Sequence, residues 1–245
     1  MTPSPTLLMT RPRPASDRFV AGLPSALRQR IAVCHNPLIE IVPRGGALDL
    51  GPAHGLIFTS ANGVAAAAAA TARRDLPCFC VGAATTRAAR AAGWEATDCG
   101  PTGDALVAYL MQDLPEAPLL HLSGAHRSGD IAGRLTGAGC ATAVHVLYDQ
   151  ELRPLSAEAR ALLERGGPVI VALFSLRTAR QFAAQSAGLT GFHVVALSAV
   201  VAEPLRNRAQ SPVFVAERPD AEAMAALVEK LANRICRVEG GGAAQ

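Results

Sequence analysis

The chain has 245 residues, of which half are apolar, 18% charged and 4% aromatic, with a mean hydropathy of +0.23 and a formal net charge of +3. This composition excludes general disorder, which needs low hydrophobicity and high net charge, and it supplies apolar material for one large core or two small ones. Lys230 is the only lysine among 23 basic residues and no basic run exceeds Arg73-Arg74, so the electrostatic footprint of a nucleic-acid binder is missing.

Short runs that are apolar on both faces predict buried parallel strands, and the segments between them predict helices. A strand at 6–10 leads to a helix at 15–30. A strand at 38–42 is followed by strand–helix pairs at 56–59 and 63–73 and at 78–81 and 85–92, then by a helix at 103–112. Further strand–helix pairs fall at 119–122 and 128–137, 143–148 and 157–164, 169–174 and 176–186, 194–197 and 200–208, and 213–215 and 221–234. Asp220 precedes the last helix as its N-cap. The tail at 240–245 is expected to fray. Alternation of strand and helix implies an α/β fold with parallel sheets.

Two features divide the chain. A faint repeat relates LIFTSANGVAAAAA and CFCVGAATTRAARAAG to VIVALFSLRTARQFAA and VVALSAVVAEPL; its equivalent serines, Ser60 and Ser175, lie 175 − 60 = 115 residues apart. The segments NPLIEIVPR and AVHVLYDQELRPL mix β-branched and charged residues and are suited to pair as a connection. The expectation is two Rossmann/flavodoxin-like lobes joined by a two-stranded β linker. The first lobe is discontinuous, at 1–36 and 153–245; the linker takes 37–44 and 144–152, and the second lobe 45–143. Ligands of open α/β sheets bind beyond the carboxyl ends of the strands, and two facing lobes would form a cleft between them.

The longest apolar stretch, the alanine-rich segment at 65–70, falls far short of the about 20 residues that a membrane-spanning helix needs. Residues 1–14 carry no apolar signal-peptide core. A cytoplasmic protein with no membrane partner is expected. Of six cysteines only Cys78 and Cys80 are close, without the paired spacing of a zinc site. They are expected to be reduced thiols in a core.

The strand ends carry small or hydroxyl-bearing turns that lead into helices. They are Thr59-Ser60-Ala61-Asn62-Gly63, Gly82-Ala83-Ala84-Thr85-Thr86, Ser123-Gly124-Ala125-His126-Arg127, and Ser175. Such turns present unpaired N–H groups and the positive end of the helix dipole to anions; the same residues are also ordinary caps. There is no G-x-S-x-G elbow, P-loop or G-x-G-x-x-G fingerprint. His121 is expected in the core and His126 on the surface, while His35, His54, His145 and His193 show no metal spacing. Tyr109 is assigned to the core. Tyr148, at the end of VHVLYD, is suited either to donate a proton from its hydroxyl or to pack as a structural aromatic.

These pieces together resemble the uroporphyrinogen-III synthase family. The resemblance runs through Leu8-Met9-Thr10-Arg11-Pro12, Phe58-Thr59-Ser60-Ala61-Asn62-Gly63-Val64, Val81-Gly82 with Thr85 or Thr86 and Gly93, and Gly103-Asp104-Ala105-Leu106. It continues through Leu122-Ser123-Gly124 with Arg127, Val146-Leu147-Tyr148, and Phe174-Ser175. It implies two α/β lobes on a two-stranded linker. It also implies conversion of hydroxymethylbilane, a linear polycarboxylate tetrapyrrole, to uroporphyrinogen III with loss of water and inversion of ring D, without metal or cofactor. Tyr148 matches the family's candidate proton donor. The substrate-holding set is then Arg11, Thr59, Ser60, Asn62, Gly82, Thr85, Ser123, Gly124, Arg127, Ser175, Arg177 and Ser198. A monomer in transient contact with the preceding pathway enzyme is expected.

The chain departs from the family at Ser198-Ala199-Val200-Val201, where two hydroxyls are missing, and at Leu176-Arg177. Arg177 is expected to replace those contacts by pairing with a carboxylate. The departures favour an alternative, a two-lobed binding protein for a small anion without chemistry; Tyr148 favours the enzyme.

Overall fold

A computed structural model describes residues 4–207 and 211–240. In chain order the elements are β1 (Thr6–Met9), α1 (Arg13–Ala21), α2 (Ser25–Arg28), β2 (Ala32–His35), β3 (Ile39–Pro43), β4 (Gly55–Phe58), α3 (Ala61–Ala70), β5 (Cys78–Cys80), α4 (Ala83–Ala91) and β6 (Ala96–Asp98). They continue with α5 (Gly103–Leu110), β7 (Leu119–Gly124), α6 (Ile131–Gly137), β8 (Thr142–Leu152), α7 (Ala157–Glu164), β9 (Val169–Leu173) and α8 (Leu176–Gln185). β10 (Phe192–Ala196), α9 (Ala199–Ala202), β11 (Val213–Val215) and α10 (Ala221–Gly240) complete the chain.

The chain forms two compact units. One takes in everything up to Glu40 and from Leu152 onward; the other spans Ile41–Glu151. In the first, five strands run in the order β2-β1-β9-β10-β11, all parallel. Every residue of β9 is buried, as a central parallel strand covered on both faces requires. Alternation along β1 divides its side chains. Leu8 packs with Val171, Leu173, Ala159, Phe182 and Val201 on one face. Leu7 and Met9 pack with Phe19, Leu27, Met224 and Val228 on the other.

The second unit has strand order β6-β5-β4-β7-β8, parallel throughout, with β3 at its edge beside β8. All of β4 and β7 is buried. Leu56, Phe58, Leu120 and Leu122 pack against Val64 and Ala67 of α3 and Ala89 of α4. Ile57 and Leu119 face α5 and α6 through Leu106, Val107, Leu110, Ile131 and Leu135. β3 and β8 run antiparallel, since Arg44 donates its N–H to the Leu147 carbonyl while Arg153 donates to that of Leu38. Arg44 grips Asp149 with two bonds of 3.0 and 2.8 Å, and Arg153 bonds Glu40 at 2.6 Å.

Several elements differ from those expected. The helix at 15–30 is two helices, broken where Gly22 closes the first and Pro24 precedes the second. The helix at 128–137 starts later, at Ile131, because Asp130 accepts from the Gly133 N–H and caps it there. β2 and β6 were not anticipated; each is a short edge strand with few buried residues, so neither has a two-sided apolar run. Tyr109 is not in the core: it lies on the outer side of α5, 43% exposed, while Leu106 and Leu110 face inward. Asp220 caps α10 through the Ala223 N–H at 2.8 Å. Positions 208 and 241–245, the end of one expected helix and nearly all of the expected tail, lie outside the described residues. Cys34, Cys78, Cys80, Cys99 and Cys140 are buried free thiols, and Cys236 is half-buried. Burial pushes Cys78 and Cys80 up to about 12.

Candidate functional site

Strand order fixes where each unit gathers its turns. In the first unit the chain builds outward from β1 to β2 and then crosses to β9, so the order reverses between β1 and β9. In the second it builds from β4 to β5 and β6 and then crosses to β7, so the order reverses between β4 and β7. Helices leave in opposite directions at such points and open a crevice at the carboxyl edge.

In the second unit, Ser60 lies two residues beyond β4 and is the N-cap of α3. Its Oγ accepts the Asn62 N–H at 3.2 Å, capping the helix. Asn62 and Thr59 are half-buried beside it. Gly63 lies so close to β7 that a Cβ would stand 3.1 Å from the Leu122 carbonyl oxygen. At the end of β5, Gly82 adopts φ +78°, a left-handed conformation that suits glycine. Thr86 Oγ1 donates to the Gly82 carbonyl at 3.1 Å, and Thr85 is buried beneath the turn.

Ser123 and Gly124 are the last residues of β7, and both are buried. The register to β8 slips here: Ser123 lies opposite Val146, but Gly124 lies opposite Tyr148. The Ala125 N–H then donates to the Tyr148 carbonyl at 2.9 Å. The Tyr148 ring occupies the space over Gly124, where a Cβ would meet Cε2 at 2.5 Å and Cζ at 2.7 Å. Tyr148 is 3% exposed and packs in the cluster of Phe58 and Leu122. Burial raises its pKa, while hydrogen bonding to the Ser60 side chain and the Gly124 backbone pulls it down. The net rise leaves a protonated phenol at neutral pH, which is the state of a proton donor.

Alternation places His121 and Ser123 on the opposite face of β7, with Leu119. Both are buried, and His121 Nε2 and Ser123 Oγ have no hydrogen-bond partner among the described residues. Burial, helped by Arg127, depresses His121 to about 4, so it is a neutral core histidine. Arg127 itself is exposed on the loop after β7, as is His126.

In the first unit, Arg11 follows β1 and lies over the Phe174 ring at 4.4 Å; Phe174 in turn meets Phe19 edge-on at 5.0 Å. Burial and the nearby Arg18 lower the Arg11 pKa. Thr10 Oγ1 donates to the Ala172 carbonyl at 2.7 Å and ties the end of β1 to β9. Ser175 caps α8 by accepting the Thr178 N–H at 3.2 Å, and its hydroxyl pairs with that of Thr178 at 2.8 Å. Arg177 is half-buried in the first turn of the same helix. Ser198 caps α9 by accepting the Val201 N–H at 3.4 Å. That helix has four residues, and Val200 is 63% exposed where a hydroxyl was lacking.

Each unit therefore brings its own residues to one sheet edge: Arg11, Ser175, Arg177 and Ser198 in one, and Ser60, Gly82, Gly124 and Tyr148 in the other. Sequence reasoning missed the polar group that β2 adds to the first of these edges. His35 Nδ1 lies 2.8 Å from Ser16 Oγ, and its Nε2 lies 3.8 Å from Asp17. Ser16 is 1% exposed, too enclosed for a nucleophile. Recognition of β2 would have been the signal. Among the described residues no cluster of His, Cys, Asp or Glu is arranged to hold a metal ion, and no helix is long and apolar enough to cross a membrane.

Two parallel α/β units, one flavodoxin-like in strand order and one Rossmann-like, with serine-capped helices along their carboxyl edges, define the class of protein. The family model for uroporphyrinogen-III synthase HemD matches residues 25–226, and the chain belongs to that family. Its fold is similar to the uroporphyrinogen-III synthetase of Helicobacter pylori, with a TM-score of 0.68 and 16% identity over 94% of this chain and 100% of that one. A mutant uroporphyrinogen III synthase of Thermus thermophilus is also similar, with a TM-score of 0.54 and 16% identity over 94% and 99%. No curated protein sequence matches the chain.

Proposed function

We propose that this chain is a uroporphyrinogen-III synthase, a cyclising lyase that closes hydroxymethylbilane with loss of water and inverts ring D. The family match over residues 25–226 carries the reading. In the reaction the terminal hydroxyl leaves as water, giving an azafulvene cation. The ring D pyrrole attacks it to form a spiro intermediate, which fragments and recloses. The electron-rich pyrroles supply most of this reactivity. The protein's share is to hold the bilane with its two ends together, since orientation of reacting groups contributes about 7–11 kcal/mol in favourable cases.

The capped helix starts at Ser60, Ser175 and Ser198 supply N–H donors and dipoles suited to carboxylates, and Arg11 and Arg177 supply planar cations that pair with them. Ser123, expected to share in this, is 2% exposed on the Leu119 face of β7 and does not join these donors. Tyr148, protonated at neutral pH, serves departure of the hydroxyl. The chain would act as a monomer that receives the bilane from the preceding pathway enzyme. The test is to add freshly prepared hydroxymethylbilane and separate the oxidised porphyrin isomers. Isomer III above the spontaneous background supports the proposal; isomer I alone, with bound bilane, supports an anion-binding protein without chemistry.

A further inference from the structure

His35 is the last residue of β2 and lies opposite Met9, the last residue of β1. It therefore stands on the carboxyl edge of the first unit, beside the turn that carries Arg11 into α1. Doubly wound sheets that bind dinucleotides place an acidic residue about 20 residues beyond the first turn, where it holds ribose hydroxyls. This chain puts an imidazole in the comparable place, between arginines rather than carboxylates: Arg11 before α1 and Arg13 at its first position. That charge suits a carboxylate ligand.

Both ring nitrogens have a polar neighbour, and the two neighbours differ in kind. Nδ1 lies 2.8 Å from Ser16 Oγ, and Ser16 is 1% exposed. A hydroxyl can donate or accept, so Ser16 matches the neutral ring by donating to Nδ1 and the imidazolium by accepting from it. Nε2 faces Asp17, 3.8 Å from Oδ1, which is too far for a hydrogen bond. Asp17 is exposed, and among the described residues Arg13 holds it through Nε alone, at 2.8 and 3.1 Å. The Nη donors of Arg13 remain for a ligand. An exposed i, i+4 pair of this kind contributes little, so a carboxylate from outside can displace Asp17. The remaining polar groups nearby act elsewhere. Thr10 Oγ1 donates to the Ala172 carbonyl, Arg18 bears on Arg11, and Glu158 of α7 bears on Cys34, which points to the opposite face of β2. Burial and Arg13 hold the imidazole below its ordinary pKa, against the pull of Asp17; a bound carboxylate would draw it up, since an anion favours the charged ring.

We propose that His35 is a specificity-determining residue of the synthase site. One carboxylate of the bilane takes the place of Asp17, accepts the Nε2–H of His35 and pairs with the Arg13 guanidinium, while Ser16 holds the ring at the angle this requires. The inference rests on the synthase reading above. His35 makes no contact with the reacting atoms; its share is binding, which strengthens when the ring takes up a proton.

The test reads KM, its pH dependence and the ring itself. His35→Ala is expected to raise KM for the bilane about 10-fold with kcat little changed, the scale of one hydrogen bond to a charged group. His35→Gln keeps an N–H donor and is expected to recover most of that loss above neutral pH. It should lack the fall in KM that the parent shows as pH drops through the range where imidazole charges. Asp17→Asn removes the internal competitor and is expected to lower KM about 3-fold, the scale of an exposed ion pair. An unchanged KM for His35→Ala, the same pH profile for His35→Gln as for the parent, or a KM unchanged or raised for Asp17→Asn overturns the proposal. A further readout needs no turnover. The ring-proton resonance of His35, assigned by its loss in His35→Gln, is expected to titrate at higher pH with uroporphyrin III, the oxidised product, than in the free protein. An unmoved titration overturns the contact. If the unmodified protein makes no isomer III, the synthase reading fails, and this titration still decides whether the edge takes a carboxylate.

Discussion

Gly124 and Tyr148 form a matched pair: the ring of one fills the volume that a side chain on the other would need, with a Cβ contact of 2.5 Å. The ring is itself buried in the cluster of Phe58 and Leu122, so it cannot yield as a flexible chain end would. Gly124→Ala is therefore expected to cost about 1–3 kcal/mol of stability, as overpacking does, and to lower kcat by displacing the phenol. Denaturant unfolding together with steady-state kinetics checks this; parent-like values in both would mean that the ring has another place to go.

Phe182 bears on the first unit alone. It is fully buried and meets Phe192 edge-on at 5.5 Å. Phe182→Ala should destabilise that unit by about 3–5 kcal/mol. Hydrogen exchange should report the loss in β9 and β10 and spare β4 and β7.

The serine caps are expected to have separable structural and binding effects. Ser175→Ala removes an acceptor from α8 and should cost about 1 kcal/mol of stability, while Ser175→Gly should cost only a few tenths. Both should raise KM for the bilane. Arg177→Ala should raise KM with kcat little altered; an unchanged KM would remove Arg177 from the substrate's contacts.

His121 makes stability depend on pH. Its folded pKa, about 4, lies below the ordinary value of 6.5, so the unfolded chain takes up the proton first. Stability should fall as pH drops from about 6.5 towards 4 and should be independent of His121 above that window. The full effect is about 3 kcal/mol, from roughly 1.4 kcal/mol per pKa unit. His35 and His193, also lowered chiefly by burial, act in the same direction. Chemical denaturation across this range should show a shallower pH slope for His121→Leu than for the parent.

Much of the architecture is legible in residue patterns because β4, β7 and β9 are buried on both faces and carry uninterrupted apolar runs. The edge strands β2 and β6 lack that pattern and escape notice; with β2 went the His35–Ser16 contact. Tyr109 shows the limit of spacing arguments. A residue beside two core leucines can still fall on the outer side of a helix, since its direction depends on turn angle. The serine turns stand out as strand-to-helix transitions, whereas the seating of the Tyr148 ring over Gly124 depends on strand order, which local sequence does not encode.

The porphyrin isomer ratio, followed at rising protein concentration from freshly prepared hydroxymethylbilane, is the most direct test of the synthase assignment. Isomer III should replace isomer I in proportion to the protein added, and Tyr148→Phe should need far more protein for the same ratio. A ratio fixed at the spontaneous value at every concentration would contradict it.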